Sequence, residues 1–377
     1  MKKMSTLVER RLSSWMIPAA CLGLLSLSAH AVEPTLENSP TRLSSNENAF
    51  GFTPKALAAM IESLESGSYY NRNDVSDLEA LCAKKEGVPE NYILTTAGSG
   101  PLLMMTALAY AEPGANVVTT EMGYTQLTRK FEERGGEVKY APLSPDMGHD
   151  FAALGKAIDK NTKIVYICNP NNPTGVLADS MELKKFVLSV PQDILVFVDE
   201  AYLELADTNF SFATCSPLTK MRKNMIVTRT FSKSYGLAGF RVGYGIAHPD
   251  VLEKISVYHM GTPSYIAAIA ASEAIKDEEH LAMNVKNYQS VRNYVCESFD
   301  KLGIKYAKPD GAFIYFNSGI DQQVLRETMQ KNGILISGSR VSGAPESKYD
   351  KWARVSIGTK AQMDEFLSVL TTLVAKS

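Results

Sequence analysis

The sequence predicts an α/β protein, with a mostly parallel sheet covered on both faces by helices and a smaller α+β domain after it. Two observations carry this. From about residue 90, short β-rich apolar runs alternate with helical periods, the order that builds a parallel sheet. Within them, Ile194-Leu195-Val196-Phe197-Val198 is apolar at every position, as a strand buried on both faces must be.

Taken in order, strands are expected at residues 91–96, 116–120, 138–141, 163–168, 194–198, 225–229 and 242–246, with helices at 102–111, 124–134, 151–158 and 181–190. Ligands of such sheets sit at the carboxyl ends of the strands, so the loops there are where chemistry is sought. Beyond residue 262 the pattern changes to long helical stretches at 264–275 and 280–302, short strands at 313–317, 334–336 and 354–357, and a closing amphipathic helix at 360–375. The expected division is a signal segment at 1–31, an N-terminal segment at 32–66 that joins the small domain, a large domain at 67–262 and a small domain at 263–377.

With 377 residues, 45% hydrophobic and 21% charged, the chain has enough length and apolar content for about two domains and a large core. Its 39 basic and 41 acidic residues give no electrostatic case for binding nucleic acid, which demands a basic excess. Small-molecule chemistry is the default.

The first 31 residues have their own plan. Lys2, Lys3, Arg10 and Arg11 precede an apolar run from Trp15 to Leu27, and Ala29-His30-Ala31 follows. That order reads as a secretory signal cleaved after Ala31, with an apolar run too short to span a bilayer comfortably. Its removal leaves a soluble chain with no membrane segment, expected in the periplasm. The Arg10-Arg11 pair suggests the twin-arginine route, but its flanks, Glu9 and Ser13-Ser14, match that signal poorly, and a chance pair in a basic segment is the alternative. Cys82, Cys168, Cys215 and Cys296 remain after cleavage at scattered spacings, with no CxxC pair to signal zinc or a redox dithiol, so no metal is expected.

Three clusters follow expected strands. Asn169-Pro170-Asn171-Asn172-Pro173-Thr174-Gly175 is either a plain rigid turn or one that presents the Asn172 amide at the sheet edge. Asp199-Glu200-Ala201-Tyr202 closes the most apolar strand, where a carboxylate must be paired or hydrogen-bonded. A structural ion pair, a helix cap, or a partner for a protonated ring nitrogen would each satisfy it. Thr230-Phe231-Ser232-Lys233-Ser234-Tyr235-Gly236 places an amine between hydroxyls, and Arg241 follows eight residues after Lys233. Such a loop can bind a dianionic phosphate beside an amine nucleophile.

These clusters in this order resemble the fold-type I pyridoxal 5'-phosphate (PLP) enzymes, specifically the class I and II aminotransferases and, among them, the histidinol-phosphate aminotransferase branch. The resemblance runs from Leu43-Ser44-Ser45-Asn46-Glu47-Asn48-Ala49-Phe50-Gly51 to Arg354-Val355-Ser356-Ile357-Gly358-Thr359. It implies a large domain with a seven-stranded type of sheet and a homodimer with shared active sites. It further implies that Lys233 forms the Schiff base with PLP and moves the Cα proton, while Asp199 pairs with the ring nitrogen and keeps the ring an electron sink. Asn172 and Tyr202 are implied to bind the cofactor's phenolate oxygen, and Tyr124 to stack on its ring. Gly98, Ser99 and Gly100, at the start of a helix, would cradle the phosphate together with Thr230, Ser232 and Arg241. Tyr70 matches a tyrosine that reaches the phosphate from the other subunit, although Asn71 stands where proline is usual.

Substrate contacts are implied for Arg354, whose planar fork suits a carboxylate, and for Asn48 in the segment that covers the substrate. The branch usually has a second arginine after its Gly-Ile strand. Here Gly333-Ile334-Leu335-Ile336 leads to Ser337, with Arg340 three residues on as a candidate substitute. The expectation is therefore transfer of an amino group between an amino acid, or an amine like histidinol phosphate, and a 2-oxo acid, with an α-carboxylate preferred over a phosphate. Decarboxylation, racemisation or elimination with the same cofactor is the enzymatic alternative, and a non-catalytic PLP or amine binder the other.

Overall fold

The computed structural model describes residues 39–70, 73–259 and 261–375. Among the described residues twelve strands form two sheets. Strands β2 (Ile93–Thr96), β3 (Asn116–Thr120), β4 (Glu137–Ala141), β5 (Thr162–Cys168), β6 (Leu195–Asp199), β7 (Met225–Thr230) and β8 (Gly243–Ala247) build a seven-stranded sheet in the order β2-β8-β7-β6-β5-β3-β4. Strands β1 (Thr41–Leu43), β9 (Lys305–Tyr306), β10 (Phe313–Asn317), β11 (Ile334–Gly338) and β12 (Trp352–Ser356) build a five-stranded one in the order β1-β11-β12-β10-β9. The expected signal segment and the Arg10-Arg11 pair lie outside the described residues.

The large sheet is parallel except at β8, which runs against both β7 and β2. All five residues of β6 are buried, in keeping with its unbroken apolar run. Its two faces feed different clusters: Val196 and Val198 pack with Leu183 and Val187, whereas Leu195 and Phe197 pack with Leu102 and Phe131. That is the physical content of a strand covered by helices on both sides.

The parallel order has one consequence for function. The carboxyl ends of β2, β3, β5, β6 and β7 share one edge, and Cys168, Asp199 and Thr228 stand opposite one another across β5, β6 and β7. Because β8 is reversed, it begins at that same edge, which brings the residues just before it, Arg241 included, to where the other strands end.

The N-terminal segment divides between the two sheets. Strand β1 pairs in parallel with β11, so Thr41–Leu43 extends the five-stranded sheet. Helix Pro54–Ser63 instead sets Ala56 and Met60 into the core beside Ala267, Ala270 and Ala271. Thr53 caps that helix, and Pro54 takes its first position, where a missing N–H costs nothing. The residues between, 44–52, are therefore held at both ends and run across the strand edge of the large sheet.

Among the described residues no helix is long and apolar enough to cross a membrane. Cys82, Cys168, Cys215 and Cys296 are all free thiols.

Candidate active site

At the shared strand edge lies a cavity of about 630 Å³. Its wall gathers most of the residues singled out from sequence: Ser99 and Gly100 after β2, Tyr124 after β3, Asn172 after β5, Asp199 at the end of β6 and Tyr202 after it, Thr230 at the end of β7, and Ser232, Lys233 and Arg241 between β7 and β8. Arg354, from β12 of the other sheet, joins them.

Lys233 sits on the β7–β8 loop, with its Nζ donating to the Asn46 carbonyl at 3.0 Å. Burial, and after it the positive charge of Arg354, pull this amine down to about 8. The loop is pinned by close backbone approach. Gly236 has φ +74°, and a side chain there would strike the carbonyl of Gly51.

Asp199 is 3% exposed, and burial pushes its carboxyl up to about 6. Its hydrogen bonds come from the Thr228 hydroxyl at 3.0 Å and the Ala201 N–H at 3.2 Å, both to Oδ1. Among the described residues nothing hydrogen-bonds Oδ2, which leaves it for a donor from outside the chain. Glu200, the next residue, takes the structural alternative: it pairs with Arg229 at 2.9 Å in a network that includes Glu86.

Tyr202 accepts hydrogen bonds from the amides of Asn46 at 3.0 Å and Asn172 at 3.4 Å. The Asn172 carbonyl oxygen in turn accepts from Arg354 Nη1 at 2.6 Å. Arg354 also donates to the Ser44 carbonyl at 2.6 Å, and its Nε is buried with no partner.

Opposite, helix Gly100–Tyr110 opens into the cavity with no side chain capping its N-terminus. Ser232 donates nothing to Arg241 but accepts from its Nη1 at 3.4 Å, and Thr230 Oγ1 lies 2.9 Å from the same hydroxyl. Gly98 does not face the cavity. It turns the chain at φ +85°, and a Cβ there would collide with the Arg241 guanidinium, so its part is to leave room for that side chain. Uncapped helix N–H groups, two hydroxyls and a guanidinium form a ready anion site.

These observations fit PLP. The anion site suits its phosphate, the free Asp199 oxygen its ring nitrogen, and the Lys233 amine its aldehyde.

The class I and II aminotransferase family model matches residues 39–370. The chain belongs to that family. It is 32% identical over 336 residues to histidinol-phosphate aminotransferase of Moorella thermoacetica, covering 89% of this chain and 85% of that one. It is 35% identical over 341 residues to the enzyme of that name from Limosilactobacillus fermentum, covering 89% and 90%. The solved structure of histidinol-phosphate aminotransferase from Sinorhizobium meliloti in complex with pyridoxal-5'-phosphate is similar with a TM-score of 0.80 at 25% identity, covering 100% of this chain and 98% of that one. The aminotransferase is thus a PLP-dependent enzyme of fold type I.

Two further sequence assignments need revision, and Tyr70 stands apart from them. Asn48 does not face the cavity: its amide donates to the carbonyls of Lys233 at 2.9 Å and Ser234 at 3.2 Å, so it ties down the lysine's loop rather than meeting substrate. Two residues earlier, Asn46 lines the cavity, and the motif contained it without marking it out. Tyr70 is fully exposed and does not line this chain's cavity. Arg340 does line it, with Nε donating to Ser337 Oγ at 2.8 Å. The serine that stands where an arginine was expected therefore holds one in place, and the premise for disfavouring a phosphate is lost. Sequence spacing left open whether Arg340 could take that place, and the backbone decides it: Arg340 has φ +52°, a reversal that turns the chain back toward the site.

Proposed function

We propose that the aminotransferase takes as donor an amine bearing a phosphate monoester, of the histidinol phosphate type, and passes its amino group to a 2-oxo acid. The observation that carries this is Arg340 beside Arg354 in one cavity, two guanidiniums without a carboxylate partner among the described residues, which suit a dianion. The relatives named for histidinol phosphate support the same reading.

Bound PLP supplies an aldehyde that an amine can attack and a protonated ring that draws electrons from the attached carbon. The chain's residues do the rest. Lys233, with its amine near neutrality in basicity, takes the proton from the substrate's Cα and holds it at Nζ. Asp199 Oδ2 keeps the ring nitrogen protonated, and Tyr202 donates its hydroxyl hydrogen into the cavity. Ser99, Gly100, Thr230, Ser232 and Arg241 grip the cofactor's phosphate. Arg354 and Arg340 orient the donor through its anionic end.

The test compares histidinol phosphate with a panel of common amino acids, using 2-oxoglutarate as acceptor. The expected result is a higher kcat/KM for histidinol phosphate, lowered about tenfold or more in Arg340→Ala, since a charge-assisted hydrogen bond contributes roughly 1.5–3 kcal/mol. If amino acids win and Arg340→Ala leaves them untouched, the donor is an α-amino acid held by Arg354 alone.

The dimer and the export signal complete the proposal. Leu57 and Ile61 on helix Pro54–Ser63 and Leu64 just after it are exposed apolar side chains, 46%, 59% and 62% accessible, and Tyr69 and Tyr70 nearby in sequence are exposed as well. A second copy of the chain would cover them, and Ile61→Glu should halve the mass seen by sedimentation. Residues 1–31 would direct export to the periplasm, and N-terminal sequencing of the protein from a native host should start at Val32.

A further inference from the structure

Asn46 has all of its polar groups engaged while being 2% exposed and held at φ +55°. Its N–H donates to Ser356 Oγ at 2.8 Å, its Oδ1 lies 2.9 Å from the same hydroxyl, its Nδ2 donates to Tyr202, and its carbonyl receives the Lys233 amine. Five non-glycine residues among those described have positive φ, and three of them, Asn46, Arg241 and Arg340, line the cavity. Such backbone is held only where the surroundings over-determine it.

The hydrogens in this network can be placed by counting. A backbone N–H only donates, so Ser356 Oγ accepts from Asn46 and its single hydrogen goes to Asn46 Oδ1. That fixes the amide with Nδ2 toward Tyr202. Asn172 is fixed in the same way, because Arg354 can only donate and so claims its Oδ1. Both amides therefore give hydrogens to one phenolic oxygen. A phenol has one hydrogen of its own, and among the described residues nothing accepts it. It is left for an oxygen inside the cavity.

We infer that Asn46 is a positioning residue, oriented by Ser356, which sets the direction in which Tyr202 donates and the resting place of the Lys233 amine. The inference rests on the proposed PLP site and adds to it a cause for the Tyr202 proton's direction. It also joins the strand that carries Arg354 to the lysine, since Ser356 lies two residues after Arg354 on β12. Burial alone would leave the Tyr202 hydroxyl free to turn either way, and two fixed donors remove that choice.

Asn46→Asp keeps the size and tolerates the backbone, but its carboxylate accepts where the amide donated, so the Tyr202 hydrogen turns away from the cavity. Ser356→Ala is the neutral control for added charge, because it frees the Asn46 amide to rotate. Asn46→Gly keeps the positive φ and the carbonyl that meets Lys233 while deleting the amide.

The readout is the pH midpoint of the visible absorbance of the PLP-loaded protein, together with PLP affinity and the melting temperature. A donor toward the cofactor's phenolate oxygen favours its anion, so losing that donor should raise the midpoint by about one pH unit in Asn46→Asp, and by less in Ser356→Ala and Asn46→Gly. Unchanged midpoints in both Ser356→Ala and Asn46→Gly, with melting within a few degrees of the parent, overturn the inference even if Asn46→Asp shifts by charge alone. Should the parent protein itself show no pH-dependent band with PLP, and borohydride fix no label on Lys233, the proposed site fails and the inference with it. A parent that behaves as proposed with variants that do not shift sinks only the role of Asn46.

Discussion

Asp199 and Glu200 are adjacent in sequence and almost equally buried, yet they face two regions run on opposite rules. Behind the sheet edge, Glu200 and Glu86 share Arg229, and all three side chains are at most 1% exposed. Thr214 and the Cys215 N–H complete the shell of Glu200. In the cavity, by contrast, the hydrogen bonds among the described residues all go to neutral groups: Asp199 accepts from a hydroxyl and a backbone N–H, Lys233 donates to a carbonyl, and Arg354 to a carbonyl and an amide. The core neutralises its charges internally because no ligand will ever do so. The cavity leaves these charges outside any direct ion pair among the described residues, at a cost in stability, so that a bound molecule can supply closer partners.

The sharpest way to break the comparison is to remove Lys233. Lys233→Met should lower turnover by about 10²–10⁴-fold or more, because the group that moves the Cα proton is gone, while the fold survives. Removing Arg229 should do the reverse. Arg229→Met strands two buried carboxylates and should cost about 3–5 kcal/mol in denaturant unfolding, with kcat per folded molecule little changed. A large kcat loss at full stability would show that this network belongs to the active site after all.

Asp199→Asn should retain PLP through the anion site yet lose about 10²–10³-fold in kcat, since an amide cannot hold a ring nitrogen protonated. Near-normal turnover would make Asp199 a structural residue like its neighbour.

The smallest effects concern pH and the cofactor-free protein. Lys233 falls from 10.5 to about 8 on folding, so between those values the unfolded chain holds a proton that the folded one lacks, and stability rises with pH there. Below pH 8 the full penalty applies, and Lys233→Met should be more stable than the parent by about 1–3 kcal/mol, an advantage that fades by about pH 10.5. Asp199 rises from 3.8 to about 6, so here the folded chain holds the extra proton and stability falls as pH climbs through that window. Asp199→Asn should therefore stabilise above pH 6 and not below 3.8. Melting curves of both variants against pH check the two signs, and saturating PLP should erase the parent's deficit by supplying the missing partners.

The strands of the large sheet were legible because burial on both faces leaves an unbroken apolar run, as at β6, whose ends fall within one residue of expectation. Helices at 54–63 and 73–86 were not singled out from sequence, and neither was the two-residue β9. Short or weakly patterned elements of this kind are held by what they pack against. Helix Pro54–Ser63, for one, buries only Ala56 and Met60.

The same division runs through the site. The sequence by itself determined the cofactor side: Asn172, Asp199, Lys233 and Arg241 each follow or precede a strand of one sheet, and a parallel sheet with one reversed strand sends all those ends to a single edge. Chain order is enough there, because the hydrogen-bond register of neighbouring strands turns sequence position into spatial position. On the substrate side the sequence pointed to Arg354, and only the tertiary structure decided which residues stand with it. Asn46 comes from a segment far earlier in the chain than the one that carries Arg340 and Arg354, and Asn46 and Arg340 turn inward through left-handed backbone that their own sequence does not demand. Asn46 rather than Asn48 faces the cavity because the pairing of β1 with β11 and the capping of helix Pro54–Ser63 by Thr53 fix both ends of the segment between them.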